Sequence, residues 1–336
     1  VGLHPLTLKV RDGYLATGTQ LKLDYPGKGG IVVPVDSIEP PIVLLNDGSV
    51  VKLDSEEKFE KIKEKIAKVL FLGDILISIG DLIENNAEIR RPGYCEEWWA
   101  EEVRDKLSGT KRSDERVRKL AETIRDSIEN PFAFKPKVED AIKLSFLLKV
   151  PLHPTYLPFW NNATIEDLKA LRRWIRENAS SIVISKDFAT VPYGKRAKQI
   201  LTSLLIEHEV SDDRIRIPLR WFKVLLACLK PFSDQFLDDG VDTLTAIEKI
   251  SGIPQRDKAG SFIGARMGRP EKAAQREMSP PVNVLFPIGD AGGSSRDIIA
   301  AVKDSKKAVV ELAVRKCRKC GELTWKDKCP LCGEST

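Results

Sequence analysis

Ile42-Val-Leu-Leu45, Asn46-Asp47-Gly48-Ser49, Val50-Val-Lys-Leu53 and Asp54-Ser-Glu-Glu57 form the stretch whose reading decides the fold class. Two short aliphatic runs flank an Asn-Asp-Gly turn, which predicts a β-hairpin. A capping pattern follows at once. Asp54 is the predicted N-cap and Glu57, three residues on, its capping-box partner. Phe59, Ile62, Ile66 and Val69 keep helical spacing behind it. A hairpin running directly into a helix predicts an α+β fold. Upstream, residues 1–54 alternate aliphatic and polar positions between turn signals at Asp12-Gly13 and Pro26-Gly-Lys-Gly-Gly30. The latter lacks the Gly-Lys-Ser/Thr ending of a phosphate-binding P-loop, so it reads as a hairpin tip. Downstream, Leu70 to Ile79 reads as a buried strand pair around Gly73-Asp74.

Beyond residue 95 the pattern turns helical, from about 96 to 149, with Trp98 and Trp99 near the start and a highly charged middle from Lys106 to Asp126. Val150-Pro-Leu-His-Pro154 breaks it with two prolines and predicts a loop. Residues 160–230 read as a small module. Thr164 and Asp167 cap a helix carrying Leu168, Leu171 and Ile175. A strand at 181–185, a helix at 195–208, a strand at 214–217 and a helix at 218–229 complete an order compatible with a winged helix.

The 336 residues suit about two or three domains. Composition is that of a soluble globular chain, and the longest apolar run, Val69 to Ile79, is too short to span a bilayer and contains Asp74. No signal peptide is visible. A start at Val1 predicts a fragment or a processed product. The net charge of +5 is uneven. Residues 256–336 hold 16 Lys/Arg against 10 Asp/Glu, and the remaining residues hold 38 against 39. A polyanionic partner is therefore expected at the C-terminal quarter, with a solvated charged surface as the competing explanation. Cys95 and Cys228 are isolated and the other four cysteines pair in sequence, which excludes a secreted disulfide framework and predicts a cytoplasmic protein.

Two constellations carry chemistry. Cys317-x-x-Cys320-Gly321 and Cys329-x-x-Cys332-Gly333, eight residues apart, are tight turns that each aim two thiolates at one point. Together they predict a structural four-sulfur Zn²⁺ site, with a redox pair or an iron–sulfur cluster as the alternatives. Ahead of them runs a basic, glycine-punctuated segment. It begins Arg256-Asp-Lys-Ala-Gly260, continues Ile263-Gly-Ala-Arg-Met-Gly-Arg-Pro-Glu-Lys-Ala273 and reaches Arg276. Arg offers phosphate a planar fork and Lys a point charge, while the small residues let a polyanion approach the backbone. The segment thus predicts phosphate contacts at Arg266, Arg269 and Lys272. A charged helix entered at Pro270 would read the same way. Ile288 to Asp297, with its double glycine, resembles a phosphate nest opening a helix. His153, between two prolines, is either a packing or a site histidine. His4 and His208 read as structural. The Asp212-Asp213 and Asp238-Asp239 pairs read as surface turns.

The basic segment, with Met278, Leu285-Phe-Pro-Ile-Gly289 and Gly292-Gly-Ser-Ser-Arg-Asp297, resembles the large catalytic subunit of archaeal family D DNA polymerase. So do Gly2-Leu-His-Pro-Leu6, Phe71-Leu-Gly-Asp-Ile-Leu76, Leu82-Ile-Glu-Asn-Asn86, Glu97-Trp-Trp99, Val150 to Pro154 and Phe159-Trp160, in one order along almost the whole chain. The resemblance implies double-psi β-barrel elements with helical insert modules and a C-terminal zinc ribbon. The corresponding division is 1–95 as a β-rich barrel part, 96–159 as a helical insert, 160–250 as the small α/β module, 251–312 as the basic cleft segment and 313–336 as the zinc module. It implies that Lys258, Arg266, Arg269, Lys272 and His153 belong to the catalytic cleft and that Arg276 and Arg296 meet nucleic acid. It also implies a DNA primer–template as substrate, a small proofreading subunit and a sliding clamp as partners, and no membrane. The family's Mg²⁺-binding aspartates belong to an Asn-x-Asp-Gly-Asp type motif far downstream of the zinc module. This sequence has no such motif, which predicts a central fragment or half of a split subunit, its Mg²⁺ ligands lying elsewhere. A non-enzymatic nucleic-acid-binding scaffold and an RNA polymerase-like two-barrel enzyme are the other readings.

Overall fold

The Asn46–Ser49 turn closes as the sequence requires. In a computed structural model of the chain, β5 (Ile42–Leu45) and β6 (Val50–Lys52) pair antiparallel, with Gly48 at φ +87° supplying the left-handed residue. The structure describes residues 1–10, 17–23, 29–88, 93–109, 115–230, 240–258, 265–267, 288, 297–303, 306–310 and 312–336, with backbone alone at 22–23 and 265–267. The described strands are β1 (Gly2–Leu3), β2 (Gln20–Leu23), β3 (Gly29–Ile31), β4 (Val33–Pro34), β5, β6, β7 (Ile66–Phe71), β8 (Ile75–Leu76), β9 (Val183–Ile184), β10 (Phe188–Pro192), β11 (Glu209–Val210), β12 (Arg214–Pro218), β13 (Ala265–Met267), β14 (Arg315–Lys316) and β15 (Leu323–Thr324). The helices are α1 (Pro5–Val10), α2 (Glu56–Ile62), α3 (Ile79–Glu84), α4 (Glu96–Gly109), α5 (Glu115–Thr123), α6 (Arg125–Glu129), α7 (Val138–Leu148), α8 (Ile165–Glu177), α9 (Lys195–Ser203), α10 (Leu219–Leu229), α11 (Thr243–Ser251) and α12 (Ile298–Val302). The fold is mixed α and β, built on several small sheets. No sheet closes into a barrel among the described residues.

The chain divides into two units, Val1–Pro270 and Glu271–Thr336. Within the first, the strand-rich N-terminal part makes three small sheets, ordered β4-β1-β8, β13-β2-β3 and β6-β5-β7. β1 runs parallel to β4 and antiparallel to β8. β13 returns from far along the chain to pair antiparallel with β2, so that Arg266 stands opposite Lys22 in the register.

Helix α2 is shorter than its periodicity predicts. Ser55, and not Asp54, caps α2, accepting from the Lys58 N–H at 3.3 Å. Ile66 and Val69 leave the helix and pair with β5 as part of β7. The three-residue step from Ile66 to Val69 also fits a strand bending across a bulge, and the open edge of β5 supplies the ladder that decides it. Leu70 and Ile75 likewise end up in different sheets. Gly73, at φ +93°, turns the chain between them.

The larger core lies between α4, α7, α8, α10, α11 and the sheet β11-β12-β10-β9, around Trp99, Trp160, Leu171, Val191, Phe222 and Leu225. Helix α8 starts at the predicted capping box: Asp167 N–H donates to Thr164 Oγ1, and Thr164 N–H donates to the Asp167 carboxylate. β10, the strand between β9 and β12, is absent from the sequence reading, as is α11, which Asp242 caps and Gly252 ends at φ +68°. The predicted helix to residue 208 stops at Ser203, because Glu209 and Val210 pair with β12. The core joins the strand layer where Val50 and His208 exchange backbone hydrogen bonds at 2.8 and 3.1 Å. No described helix is long and apolar enough to cross a membrane.

Candidate functional site

The basic segment is pinned to the protein at three successive residues. The Arg256 guanidinium donates twice to one Glu102 oxygen of α4, at 2.8 and 3.3 Å, and lies over the Trp98 ring. The Asp257 carbonyl accepts from the Tyr94 N–H at 3.0 Å. Lys258 turns inward. It is 8% exposed, its Nζ 2.6 Å from the Glu39 carboxylate and 2.9 Å from the Pro154 carbonyl, with the Phe159 ring beneath at 5.3 Å.

Glu39 is the centre of this cluster. Its other neighbour is Lys52, also an ion pair, from β6. Burial favours the neutral acid, but the two ammonium groups overcome it and hold the Glu39 carboxyl far below the usual range. Burial likewise opposes the charge on Lys52, and Glu39 outweighs it, so that amine titrates high. On Lys258 desolvation wins and its amine is pulled down, with Glu39 working against the shift. Asp74 closes the arrangement. Its backbone N–H donates to the Glu39 carbonyl, and its carboxylate accepts from the Glu39 N–H, both at 3.0 Å. Burial pushes the Asp74 carboxyl up. A Cβ on Gly73 would stand 2.6 Å from the Glu39 carbonyl oxygen, so the turn that carries Asp74 needs a glycine for space as well as for φ.

His153 lies fully buried beside this cluster. Thr155 N–H donates to Nδ1 at 3.3 Å, which places the proton on Nε2, and the ring stands edge-on to Trp99 with centroids 4.7 Å apart. Desolvation lowers its pKa to about 3, so the imidazole is neutral. The Pro154–Tyr156 turn that follows is the one gripped by Lys258. Lys258 and His153 thus come together, both buried. Arg266 is on β13, opposite Lys22. Arg269, Lys272, Arg276 and Arg296, with the double-glycine loop and the helix expected from Pro270, lie outside the described residues. Residues 256–258, at the head of the run, are not helical. Glu39 and Asp74 escape sequence reasoning. The Phe71–Leu76 block contains Asp74, but nothing local marks either carboxylate as a lysine partner.

In the second unit, β14 and β15 pair and two matching turns follow the predicted spacing. Gly321 N–H donates to the Cys317 carbonyl at 3.0 Å, and Gly333 N–H to the Cys329 carbonyl at 2.9 Å. Both glycines sit at positive φ, +78° and +71°. Cys317 N–H and Cys329 N–H donate to the Glu322 and Glu334 carbonyls, each at 2.8 Å. The four sulfurs lie within 4.8 Å of one another, with close pairs at 3.4, 3.5 and 3.6 Å. Tetrahedral Zn–S bonds near 2.3 Å need sulfurs about 3.8 Å apart. The donor set and spacing therefore fit a metal site compatible with zinc.

Comparison with known proteins places this geometry in a family. The model of the DNA polymerase II large subunit DP2, central domain, matches residues 1–336. The chain belongs to that family. DNA polymerase II large subunits of Archaeoglobus fulgidus, Pyrococcus horikoshii and Pyrococcus abyssi are 40%, 39% and 38% identical to it, over 100%, 99% and 99% of the chain. It spans 28%, 25% and 24% of their respective lengths.

Proposed function

We propose that the chain forms part of the catalytic subunit of a replicative DNA-directed DNA polymerase and lines the cleft that holds the phosphates of DNA and nucleotide. The observation that carries this reading is the family match over residues 1–336, relatives being named as polymerase large subunits. The charge distribution supports it, since the cationic excess falls in the segment that begins at Arg256. Arg266, Arg269, Lys272, Arg276 and Arg296 meet phosphate oxygens and offset the charge that develops in phosphoryl transfer. Lys258 roots the run, because its ammonium is spent on Glu39, and His153 supports the turn beside it. β1–β8 with β13 belong to a double-psi β-barrel. Cys317, Cys320, Cys329 and Cys332 hold a structural Zn²⁺. The Mg²⁺ ligands for the chemistry come from outside these residues. The working enzyme binds a DNA primer–template, a small proofreading subunit and a sliding clamp.

The test is primer extension by the complete two-subunit enzyme carrying Arg269→Ala or Lys272→Ala. Loss of one such cation is expected to cut extension about 100-fold. It should also flatten the dependence of DNA affinity on salt by about one unit of slope, with melting unchanged. Extension at the wild-type rate by both variants would overturn the cleft assignment.

A further inference from the structure

Charged groups are costly to bury, and a well-packed apolar cluster of the same volume is often the more stable choice. Glu39 and Lys258 are nonetheless sequestered, and the geometry gives them a task. Lys258 belongs to the basic segment by sequence, yet its Nζ reaches back to three places: the Glu39 carboxylate at 2.6 Å, the Pro154 carbonyl at 2.9 Å and the Phe159 ring at 5.3 Å. Glu39 is itself held from behind by the Gly73-Asp74 turn, through two backbone-linked hydrogen bonds of 3.0 Å. Seven residues past Lys258 the chain enters β13, whose Arg266 stands in fixed register with β2. The segment is thus moored at Lys258 on one side and at β13 on the other.

We propose that Glu39 is a positioning residue for phosphate binding: its carboxylate draws Lys258 into the core and so fixes the point from which the Arg266-bearing strand sets out. The inference rests on the reading of the basic run as a phosphate-binding element. Glu39 acts through Lys258, and the role differs from that of Lys52, the second ammonium on the same carboxylate, which lies on β6 and leads nowhere near the run in sequence.

The complete two-subunit polymerase with Glu39→Gln, Lys258→Met, both together, and Lys52→Met separates positioning from simple stability. Each is assayed for melting, for kcat and nucleotide KM in primer extension, and for amide exchange of residues 265–267. Glu39→Gln and Lys258→Met are expected to lower kcat about tenfold or more, the scale of a displaced catalytic element, and to speed exchange in β13. The double variant should be no worse than either single one, because both remove one mooring. Lys52→Met is expected to lower the melting temperature with kcat within about twofold of wild type. If activity instead follows melting temperature along one line through all four variants, or β13 exchange is unchanged in Glu39→Gln, the positioning role is overturned. Should Glu39→Gln fail to fold, Glu39→Asp, which keeps the charge and shortens the reach, must show the same loss of kcat for the proposal to stand. Wild-type extension by Arg269→Ala and Lys272→Ala would strike the phosphate reading alone, since the exchange of β13 reports on the mooring independently.

Discussion

His153 and His208 are the residues whose chemistry depends most plainly on burial. The His208 Nδ1–H donates to the Ile206 carbonyl at 2.7 Å, and desolvation lowers its pKa to about 4, as it lowers that of His153 to about 3. An imidazole whose folded pKa lies below its unfolded value near 6.5 contributes nothing against folding above that value. It favours unfolding increasingly as pH falls from about 6.5 toward the folded pKa. At pH 5 each histidine is expected to cost about 2 kcal/mol. Thermal melting at pH 7.5 and pH 5 should therefore show a marked acid loss, and His208→Gln should remove a share of it. A melting temperature that stays level down to pH 5 would contradict this. Glu39 acts in the same direction but lower, because its folded carboxyl titrates below the unfolded value and its contribution is lost only as pH drops through the carboxylate range.

At the scale of elements, the capping box of α8 gives a sharp test. Thr164→Ala removes the acceptor for the Asp167 N–H and is expected to destabilise the protein by about 1 kcal/mol, readable as a shift in denaturant midpoint at constant slope. This helix was legible because its signals are local: Thr164 and Asp167 at the cap, then Leu168, Leu171 and Ile175 on the buried stripe. The β5–β6 hairpin was legible for the same reason. β7 was not, since the three-residue step from Ile66 to Val69 fits a helix as well as a strand with a bulge, and only the vacant edge of β5 chooses between them. β10 is not legible because Phe188 to Pro192 alternates buried and half-buried positions over five residues, too short a run to stand out. The cysteine turns were fully readable, as four thiols and two glycines at fixed spacing leave little freedom to the chain. Glu39 could not be read, because Lys258 lies more than 200 positions away and nothing local marks Lys52, 13 positions on, as its partner, so only the folded layers bring the three together.

For the whole molecule, the second unit and the first should respond differently to metal removal. The 312–336 segment buries little apart from Cys317, Thr324 and Cys329, and leaves Leu323, Trp325 and Leu331 exposed, so its order is expected to come from the metal. Treatment with a strong chelator should release one metal equivalent and raise amide exchange at Gly321 and Gly333, while exchange in α8 and α10 stays as it was. Unchanged exchange at the two glycines would rule out a structural metal there. The first unit has the opposite constraint, because its N-terminal sheets draw strands from both ends of a long stretch of chain. During synthesis β2 emerges ahead of β13 and waits for it while about 240 residues are added, which at ribosomal speeds amounts to roughly 10 to 50 seconds. For that interval one edge of β2 has no ladder and Glu39 has no Lys258. The nascent chain must therefore carry an open strand edge across the ribosome's working time, and any factor that shields such edges has a window in which to act.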